Sequence, residues 1–327
     1  MTGYPIRLPG LVLLLSALLA LPAAGEGYPS RVVTLVVPYP AGGPTDQLAR
    51  QLAPHLSEKL GQGFIVENVS GGATTIATGR VTRAAPDGHM LLVHNLQIAA
   101  NVALHPSLPF DTEKDLVALA FINHNPLVLV GRRSLPANTL AELIASMRTA
   151  PLKMAHPGTG STGHLTTALF AQEARVAIDH IPYRGAAPAL QDVIGDHIDL
   201  FFATPQSVVE AVPAGQVKAF GITTKEPSRQ FPNVTPMAQA LGPNLEISYW
   251  HALFAPAATP RPILDKLAAV LQEIMEDPAL IRIWADAGVT PYPKELRAPA
   301  TAQALLASEV ARWGAVVRAN NIQPPAQ

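Results

Sequence analysis

The chain has 327 residues, and its 23 Lys and Arg nearly balance 24 Asp and Glu, which leaves a formal charge of -1. This balance argues against nucleic-acid binding, and 48% hydrophobic residues with only 14% charged residues exclude a disordered chain. The absence of cysteine excludes disulfides, thiolate metal sites and a cysteine nucleophile, and the length predicts two domains.

Residues 1–25 have the pattern of a secretory signal peptide. Arg7 precedes the apolar run at 11–21 (LVLLLSALLAL), and the small residues Ala23, Ala24 and Gly25 follow it. The run is shorter than the roughly 18 residues of a membrane-spanning helix, and an uncleaved anchor is the alternative. We therefore predict cleavage near Gly25 and export of a soluble protein to a bacterial periplasm.

The first part of the exported chain alternates strands and helices. Residues 32–38 (VVTLVVP) are typical of a buried strand, and leucines at every fourth position from Leu48 to Leu60 predict an amphipathic helix that contains Pro54. The remaining elements predicted in this part are strands at 64–67 and 90–93 and a helix at 71–83. This order of strand, helix and strand predicts parallel pairing with right-handed crossovers.

A second series of alternating elements begins near residue 126 and predicts another doubly wound sheet. Its predicted strands are 127–130, 152–155, 177–181, 198–202 and 217–222, and its predicted helices are 139–147, 164–173, 187–194 and 205–212. Thr139 and Glu142 have the spacing of a capping box. Residues 224–247 are predicted to form a covering segment, followed by a strand at 249–255 and helices at 263–275 and 300–319. The predicted fold class is α/β.

Residues 158–163 (GTGSTG) fit the G-x-G-x-x-G pattern of dinucleotide-binding loops, and Asp179 follows about 20 residues later. A glycine loop at a helix N-terminus also binds small anions, because its amide groups can approach the ligand closely. We favour the anion-binding interpretation, since the loop lies in the middle of an exported chain. A dinucleotide-dependent enzyme that uses this loop is the alternative.

Other catalytic and metal motifs are weak. Ser161 lies close to His164, but Thr159 occupies the position of the first glycine in the G-x-S-x-G motif of hydrolases. Ten histidines include no H-E-x-x-H motif, so a histidine such as His55 is interpreted as an ordinary surface or core residue. The sequence therefore predicts no catalysis, no metal and no cofactor.

Three glycine-containing segments precede predicted helices, at 41–46, 158–164 and 183–185. In open parallel sheets such loops lie at the carboxyl ends of the strands, where ligands bind. Each helix start carries about half a positive charge and unpaired N–H groups. The pattern predicts a clamp for a molecule with a carboxylate at one or both ends. Asp46 is interpreted as a residue that shapes the helix start rather than as a base.

Six stretches resemble one protein family in the same order along almost the whole exported chain. They are VVPYPAGGPTD (36–46), ENVSGGATTIATG (67–79), APDGHMLL (85–92), GTGSTGHL (158–165), HIPYRGAAPALQDVIGDHID (180–199) and FAPAATP (254–260). On these motifs the sequence resembles the periplasmic solute-binding proteins of the tripartite tricarboxylate transporter family, often called Bug proteins.

The resemblance implies two doubly wound α/β domains in the type II periplasmic-binding-protein, or Venus-flytrap, fold. Domain 1 would comprise residues 26–125 plus 250–327, and domain 2 would comprise residues 126–249. The resemblance also implies a monomer without enzymatic activity. Such a protein captures a small carboxylate in the cleft between the domains and delivers it to the membrane subunits of a tripartite tricarboxylate transporter.

The family's ligand contacts fall on matching motif positions of this sequence. They are Tyr39, Ala41, Gly42, Gly43, Thr45, Asp46, His94, Asn95, Gln97, Gly160, Ser161, Thr162 and His164, with Tyr183 and Arg184 in the PYRG segment. Tyr39 is expected to form a ligand wall, with a packing role as the alternative. Arg184 is expected either to grip a carboxylate with two hydrogen bonds or to form an exposed ion pair.

Two departures from the family's pattern bear on the ligand. Ala203 replaces a common acidic residue near the cleft, and the loss of this acceptor favours a carboxylate without an amine. His94 and Asn95 stand where small hydroxyl residues are common, and these larger donors favour an aromatic acid or a longer diacid.

Overall fold

The computed structural model describes residues 27–324, so the predicted signal peptide lies outside the described residues. Within this range, no helix combines the length and the apolar character that crossing a membrane requires.

The strands of residues 27–324 form two six-stranded sheets. The strands of the first sheet are β1 (Val33–Val37), β2 (Phe64–Asn68), β3 (Met90–Asn95), β4 (Leu116–Asn125), β11 (Tyr249–Pro256) and β12 (Thr290–Pro291). The strands of the second sheet are β5 (Val128–Arg132), β6 (Leu152–His156), β7 (Ile178–Pro182), β8 (Leu200–Ala203), β9 (Val217–Ile222) and β10 (Thr235–Pro236). The spatial orders are β12-β4-β11-β3-β1-β2 and β10-β9-β5-β8-β6-β7. We call the parts packed on the two sheets the first lobe and the second lobe.

Helices cover both faces of each sheet. In chain order they are α1 (Pro44–Leu60), α2 (Thr75–Thr82), α3 (Gln97–Leu104), α4 (Thr112–Asp115), α5 (Leu140–Met147), α6 (Thr162–Ala174), α7 (Ala186–Ile194), α8 (Pro205–Val208), α9 (Met237–Leu241), α10 (Arg261–Ile274), α11 (Pro278–Asp286) and α12 (Pro299–Ala319). Three short 3₁₀ turns lie at Gly72–Thr74, Pro243–Leu245 and Lys294–Leu296. The predicted α/β class with two doubly wound sheets is confirmed.

The expectation of parallel pairing is correct for only part of each sheet. Strand β1 pairs in parallel with β2 and β3, and β6 pairs in parallel with β7 and β8. Strand β11 is antiparallel to both β3 and β4, and β5 is antiparallel to β8 and β9. These strands reverse direction because the chain leaves the first sheet through β4, enters the second through β5, and returns through β11.

Strands β4, β10 and β12 and helices α3, α4, α9 and α11 were not predicted from the sequence, and α8 is shorter than its predicted range of 205–212. Strand β4 reads LVALAFINHN, an apolar run that ends in polar residues. Helix α3 is apolar on almost all sides because it is buried between the first sheet and α12. Such a helix lacks the amphipathic stripe that marks α1 and α10.

Alternate side chains of the central strands pack on opposite faces. In the first sheet, Val33, Leu35 and Val37 pack beneath α1 and α10, whereas Val36 packs towards α12. In the second sheet, Leu129 packs with α5 and α6, whereas its neighbours Val128 and Val130 pack with α7. The core thus fixes both sheets, and the loops at the carboxyl ends of their parallel strands are held in place between the lobes.

Candidate functional site

A cavity between the lobes has an empty volume of about 730 Å³, which includes its open mouth. The first lobe lines it with Tyr39, Pro40, Ala41, Gly43, Pro44, Thr45, Asn95, Gln97 and Tyr249. The second lobe lines it with Pro157, Ser161, Thr162, Gly163, residues 184–188, Phe201, Phe202 and Thr204, and Leu127 lies where the chain crosses between the lobes.

The N-termini of three helices, α1, α6 and α7, meet at this cavity. Gly43 and Gly185 are the N-cap residues of α1 and α7, and neither end has a side-chain cap. Ser161 is the N-cap of α6, and its hydroxyl accepts a hydrogen bond from the His164 amide at 3.3 Å. First-turn amide groups and the positive ends of the helix dipoles therefore face one space, an arrangement that favours an anion.

The charge of the lining has a single sign. Arg184 is the only charged side chain among the described lining residues. It is exposed and forms no ion pair with a described carboxylate. Its guanidinium is therefore free to bind a carboxylate through two parallel hydrogen bonds. The apolar side chains of Leu127, Phe201 and Phe202 supply surface for the hydrocarbon part of a ligand.

Asn95 is the centre of a hydrogen-bond network on the first-lobe wall. Its amide nitrogen donates to the hydroxyl oxygens of Tyr249 at 2.9 Å and Thr45 at 3.1 Å. Its Oδ1 accepts from the Tyr39 hydroxyl at 2.8 Å and from the backbone N–H of Gln97 at 3.0 Å. Four lining residues are thus oriented by one buried side chain before any ligand arrives.

His251 completes the network behind the cavity wall. Burial lowers the pKa of His251 to about 3, so the ring is neutral at pH 7. Its Nδ1 donates to Asn123 Oδ1 at 2.8 Å, and its Nε2 accepts from the Thr45 hydroxyl at 3.2 Å. Among the described residues, the Tyr249 hydroxyl then has only the Thr45 oxygen at 3.5 Å as an acceptor. A ligand oxygen in the cavity would be a better acceptor for this proton.

Nine of the sequence-predicted residues line the cavity together. They are Tyr39, Ala41, Gly43, Thr45, Asn95, Gln97, Ser161, Thr162 and Arg184. The loops at 41–46 and 158–164, which come from different lobes, therefore face the same space.

Three other predicted residues belong to the first lobe but lie outside the cavity lining. Asp46 is 2% exposed and accepts hydrogen bonds from the Gly42 amide, Arg50 and Asn68, each at 2.9 Å. Burial raises the pKa of Asp46, but these hydrogen bonds outweigh burial and lower the pKa. Gly42 is exposed outside the cavity lining, with a φ of 89° that favours glycine. His94 is fully buried and contacts Thr74 Oγ1 through Nε2 at 3.0 Å.

The other four predicted residues lie outside the second-lobe lining. Gly160 packs against Leu104 of the first lobe, where a Cβ would overlap that side chain. His164 accepts from the Gly160 amide through Nδ1 at 3.1 Å. The Tyr183 hydroxyl donates to Asp192. Ala203 is completely buried in the core beneath α7, so its side chain does not face the cleft as the sequence analysis expected.

Sequence reasoning missed several lining residues, including Tyr249, Leu127, Phe201, Phe202 and Thr204. Tyr249 begins the returning strand β11 and contacts Asn95 across 154 residues of sequence. The alternation of the polar Tyr249 and His251 along this strand is a signal that could have placed both on one polar face.

Comparison with known proteins identifies the family. The family model described as tripartite tricarboxylate transporter family receptor matches residues 48–322. The protein BugT of Bordetella pertussis is 33% identical over 311 residues, which cover 94% of each chain.

Solved structures share the fold. MatC from Rhodopseudomonas palustris with bound malate is 34% identical, has a TM-score of 0.83, and matches over 89% of this chain and 100% of its own. An R. palustris protein solved with adipate is 30% identical, has a TM-score of 0.84, and matches over 91% of this chain and 99% of its own.

The matches confirm the predicted two-lobed binding-protein fold, and the family consists of receptors that bind solutes rather than enzymes. The alternative of a dinucleotide-dependent enzyme gains no support from them. The chain belongs to the tripartite tricarboxylate transporter receptor family, which includes the Bug proteins.

Proposed function

We propose that this protein captures a small organic mono- or dicarboxylate in the cavity between its lobes. One observation carries the proposal: three helix N-termini and Arg184 surround a cavity whose described lining contains no carboxylate side chain. A carboxylate supplies the negative charge that this lining lacks, and amide and guanidinium donors match its oxygens. Malate and adipate, bound by two structurally similar proteins, belong to the same chemical class.

The lining also supports a preference for acids without an amine. An ammonium group buried in the cavity would need an anionic partner, and none of the described lining residues is acidic. The apolar side chains of Leu127, Phe201 and Phe202 instead suit an unsubstituted carbon chain or ring.

Ligand binding is tested by thermal unfolding of the purified protein with a panel of mono- and dicarboxylates. A bound acid at 100 times its Kd should raise the free energy of unfolding by about 2.7 kcal/mol. The neutral diamide of each active diacid is the matched control and should give no increase. Mass spectrometry of protein purified without added acid identifies any ligand that it carries. A folded protein that responds to none of the acids contradicts the proposal.

We further propose that the two lobes close on the ligand as two bodies. Their predicted bounds are residues 26–125 plus 250–327 and residues 126–249, and the boundary moves by one residue because Tyr249 is the first residue of β11 in the first sheet. The chain crosses between the sheets twice, once between β4 and β5 and once just before β11. These two connecting segments can act as hinges. Solution X-ray scattering should show a smaller radius of gyration when an acid from the panel is bound. An unchanged radius with saturating acid contradicts closure.

Delivery to the membrane subunits of a tripartite tricarboxylate transporter, from a periplasmic location, completes the proposal. Family membership supports the partner, and the apolar run at 11–21 supports export. Cell fractionation of the full chain and of a chain without residues 1–25 tests export, because only the full chain should reach the periplasm. Deletion of the gene should then abolish uptake of the acid identified above.

A further inference from the structure

Three histidines outside the cavity lining meet on one face of the second sheet. His156 ends β6, His180 lies on the neighbouring edge strand β7, and His164 lies in the first turn of α6, which covers this face. The rings of His156 and His164 are stacked with their centroids 4.2 Å apart. The His180 centroid lies 5.0 Å from that of His164 and 5.9 Å from that of His156. One ring nitrogen of each histidine lies within 4.8 Å of the other two.

The buried member of this cluster has an unpaired ring nitrogen. His156 is only 2% exposed, yet its Nδ1 makes no hydrogen bond of normal geometry with a described residue, although the Gly158 backbone interacts with this ring. Buried polar atoms are nearly always paired, so an unpaired one beside two further imidazoles points to a bound group. His164 uses its Nδ1 to accept from the Gly160 amide, and turning this ring towards a ligand gives up only that hydrogen bond.

We propose that His156, His164 and His180 bind one divalent transition-metal ion of the type that imidazole prefers, such as Zn²⁺, Co²⁺ or Ni²⁺. Three histidines with an open fourth position form a known tetrahedral ligand set for zinc. Metal–nitrogen bonds of about 2.0 to 2.1 Å place tetrahedral nitrogens roughly 3.4 Å apart. The nitrogens therefore have to approach one another by on the order of 1 Å. His180 can supply this movement because it is exposed on an edge strand.

The metal site and the carboxylate site are neighbours but separate. None of the three histidines lines the cavity, whereas Ser161 and Thr162, just before His164, do. A metal ion would therefore hold the first turn of α6 to β6 and β7 from behind the cavity wall. The metal proposal does not depend on which solute the cavity binds.

The test uses purified protein without a histidine tag, in buffer treated to remove metals. Titration with Co²⁺ should give one bound ion per chain, with the visible absorption of tetrahedral cobalt, and Zn²⁺ should displace it. His180→Ala should weaken binding at least about tenfold, because it removes one of three ligands from the ion. His156→Ala should do the same, and circular dichroism checks that this variant of a buried residue is folded.

His197→Ala is the matched control, since His197 is an exposed histidine of the second lobe outside the cluster. It should leave the cobalt affinity and spectrum unchanged. Failure to bind one Co²⁺ or Zn²⁺ per chain overturns the proposal. It is equally overturned if His180→Ala binds as the unmodified protein does, or if His197→Ala loses as much affinity as His180→Ala.

Discussion

The first-lobe wall of the cavity carries interlocked side chains beside the start of α1, whereas the second-lobe wall carries the starts of α6 and α7, apolar side chains and one exposed cation. On the first wall, Asn95 holds Tyr39, Thr45 and Tyr249 in fixed orientations, with neutral His251 behind them. On the second wall, the starts of α6 and α7 present amide groups, and Arg184 has no ion-pair partner among the described residues.

The two walls therefore contribute differently: the first mainly sets the shape of the site, and the second mainly supplies its positive charge. A buried network of neutral groups sets the position of donors and acceptors but supplies no net charge. Helix ends and an arginine supply positive potential. We therefore expect changes on the first wall to reduce stability and changes at Arg184 to reduce affinity, and four predictions test this division.

The largest expected effect is acid destabilisation through His251, which lies behind the first wall. Burial lowers its pKa from the ordinary 6.5 to about 3, so the folded protein resists protonation. The stability that this group contributes is complete above pH 6.5 and decreases as the pH falls towards 3, by roughly 1.4 kcal/mol per pH unit. Denaturant unfolding at pH 7, 6, 5 and 4 measures this slope.

His251→Gln removes the titrating ring and should make the slope shallower by about 1 kcal/mol per pH unit. The exposed His197→Gln is the control and should keep the slope of the unmodified protein. Equal slopes in all three proteins would show that His251 does not control acid stability.

The second effect is the loss of the network centre in Asn95→Ala. Hydroxyl groups of Thr45, Tyr39 and Tyr249 would lose a buried partner, at a cost of about 2 to 3 kcal/mol in the free energy of unfolding. Affinity for the acid should also decrease, because the wall is no longer preorganised. Denaturant unfolding and calorimetry measure the two quantities, and an unchanged unfolding free energy would contradict the role of the network.

The third effect is confined to affinity. Arg184→Ala should weaken carboxylate binding at least about tenfold, because a charge-assisted pair of hydrogen bonds contributes roughly 1.5 kcal/mol or more. Unfolding without ligand should be unchanged, since Arg184 is exposed. Arg184→Lys keeps the charge but cannot form the two parallel hydrogen bonds. Its affinity for the acid should therefore lie between those of the unmodified protein and Arg184→Ala. If Arg184→Ala binds the acid as the unmodified protein does, Arg184 belongs to the surface.

The smallest expected effect compares two helix caps in the second lobe. Ser161→Ala removes the cap of α6 at the cavity, and Thr139→Ala removes the corresponding cap of α5, which is outside the cavity lining. Each should cost about 1 kcal/mol in the free energy of unfolding. Only Ser161→Ala should also weaken acid binding. Equal losses of acid affinity in both variants would show that Ser161 is not part of the binding site.

Local patterns account for the parts of the site that the sequence predicted. A glycine loop followed by a helix start is contained in a few residues, so the segments at 41–46 and 158–164 could be recognised directly. The cap of α5 was equally local: the Thr139 hydroxyl accepts from the Glu142 amide. The second bond of the predicted capping box differs, because the Glu142 carboxylate accepts from the backbone amide of Asn138 instead of that of Thr139.

Contacts between distant segments account for what the sequence analysis missed. Tyr249 reaches Asn95 across 154 residues, and His251 reaches Thr45 across 206. The three clustered histidines come from two strands and a helix whose pairing decides their distance. Ala203 was misplaced because its neighbours Phe202 and Thr204 line the cavity, while its own side chain packs in the core.

The sequence by itself determined the α/β class, the two series of elements and the helix starts suited to an anion, because propensity, hydrophobic period and glycine position act over short stretches. Only the tertiary structure decided the reversed directions of β5 and β11, the side chains behind the walls and the meeting of the histidines. These features depend on which strand lies next to which, and strand order is fixed by packing of the whole chain.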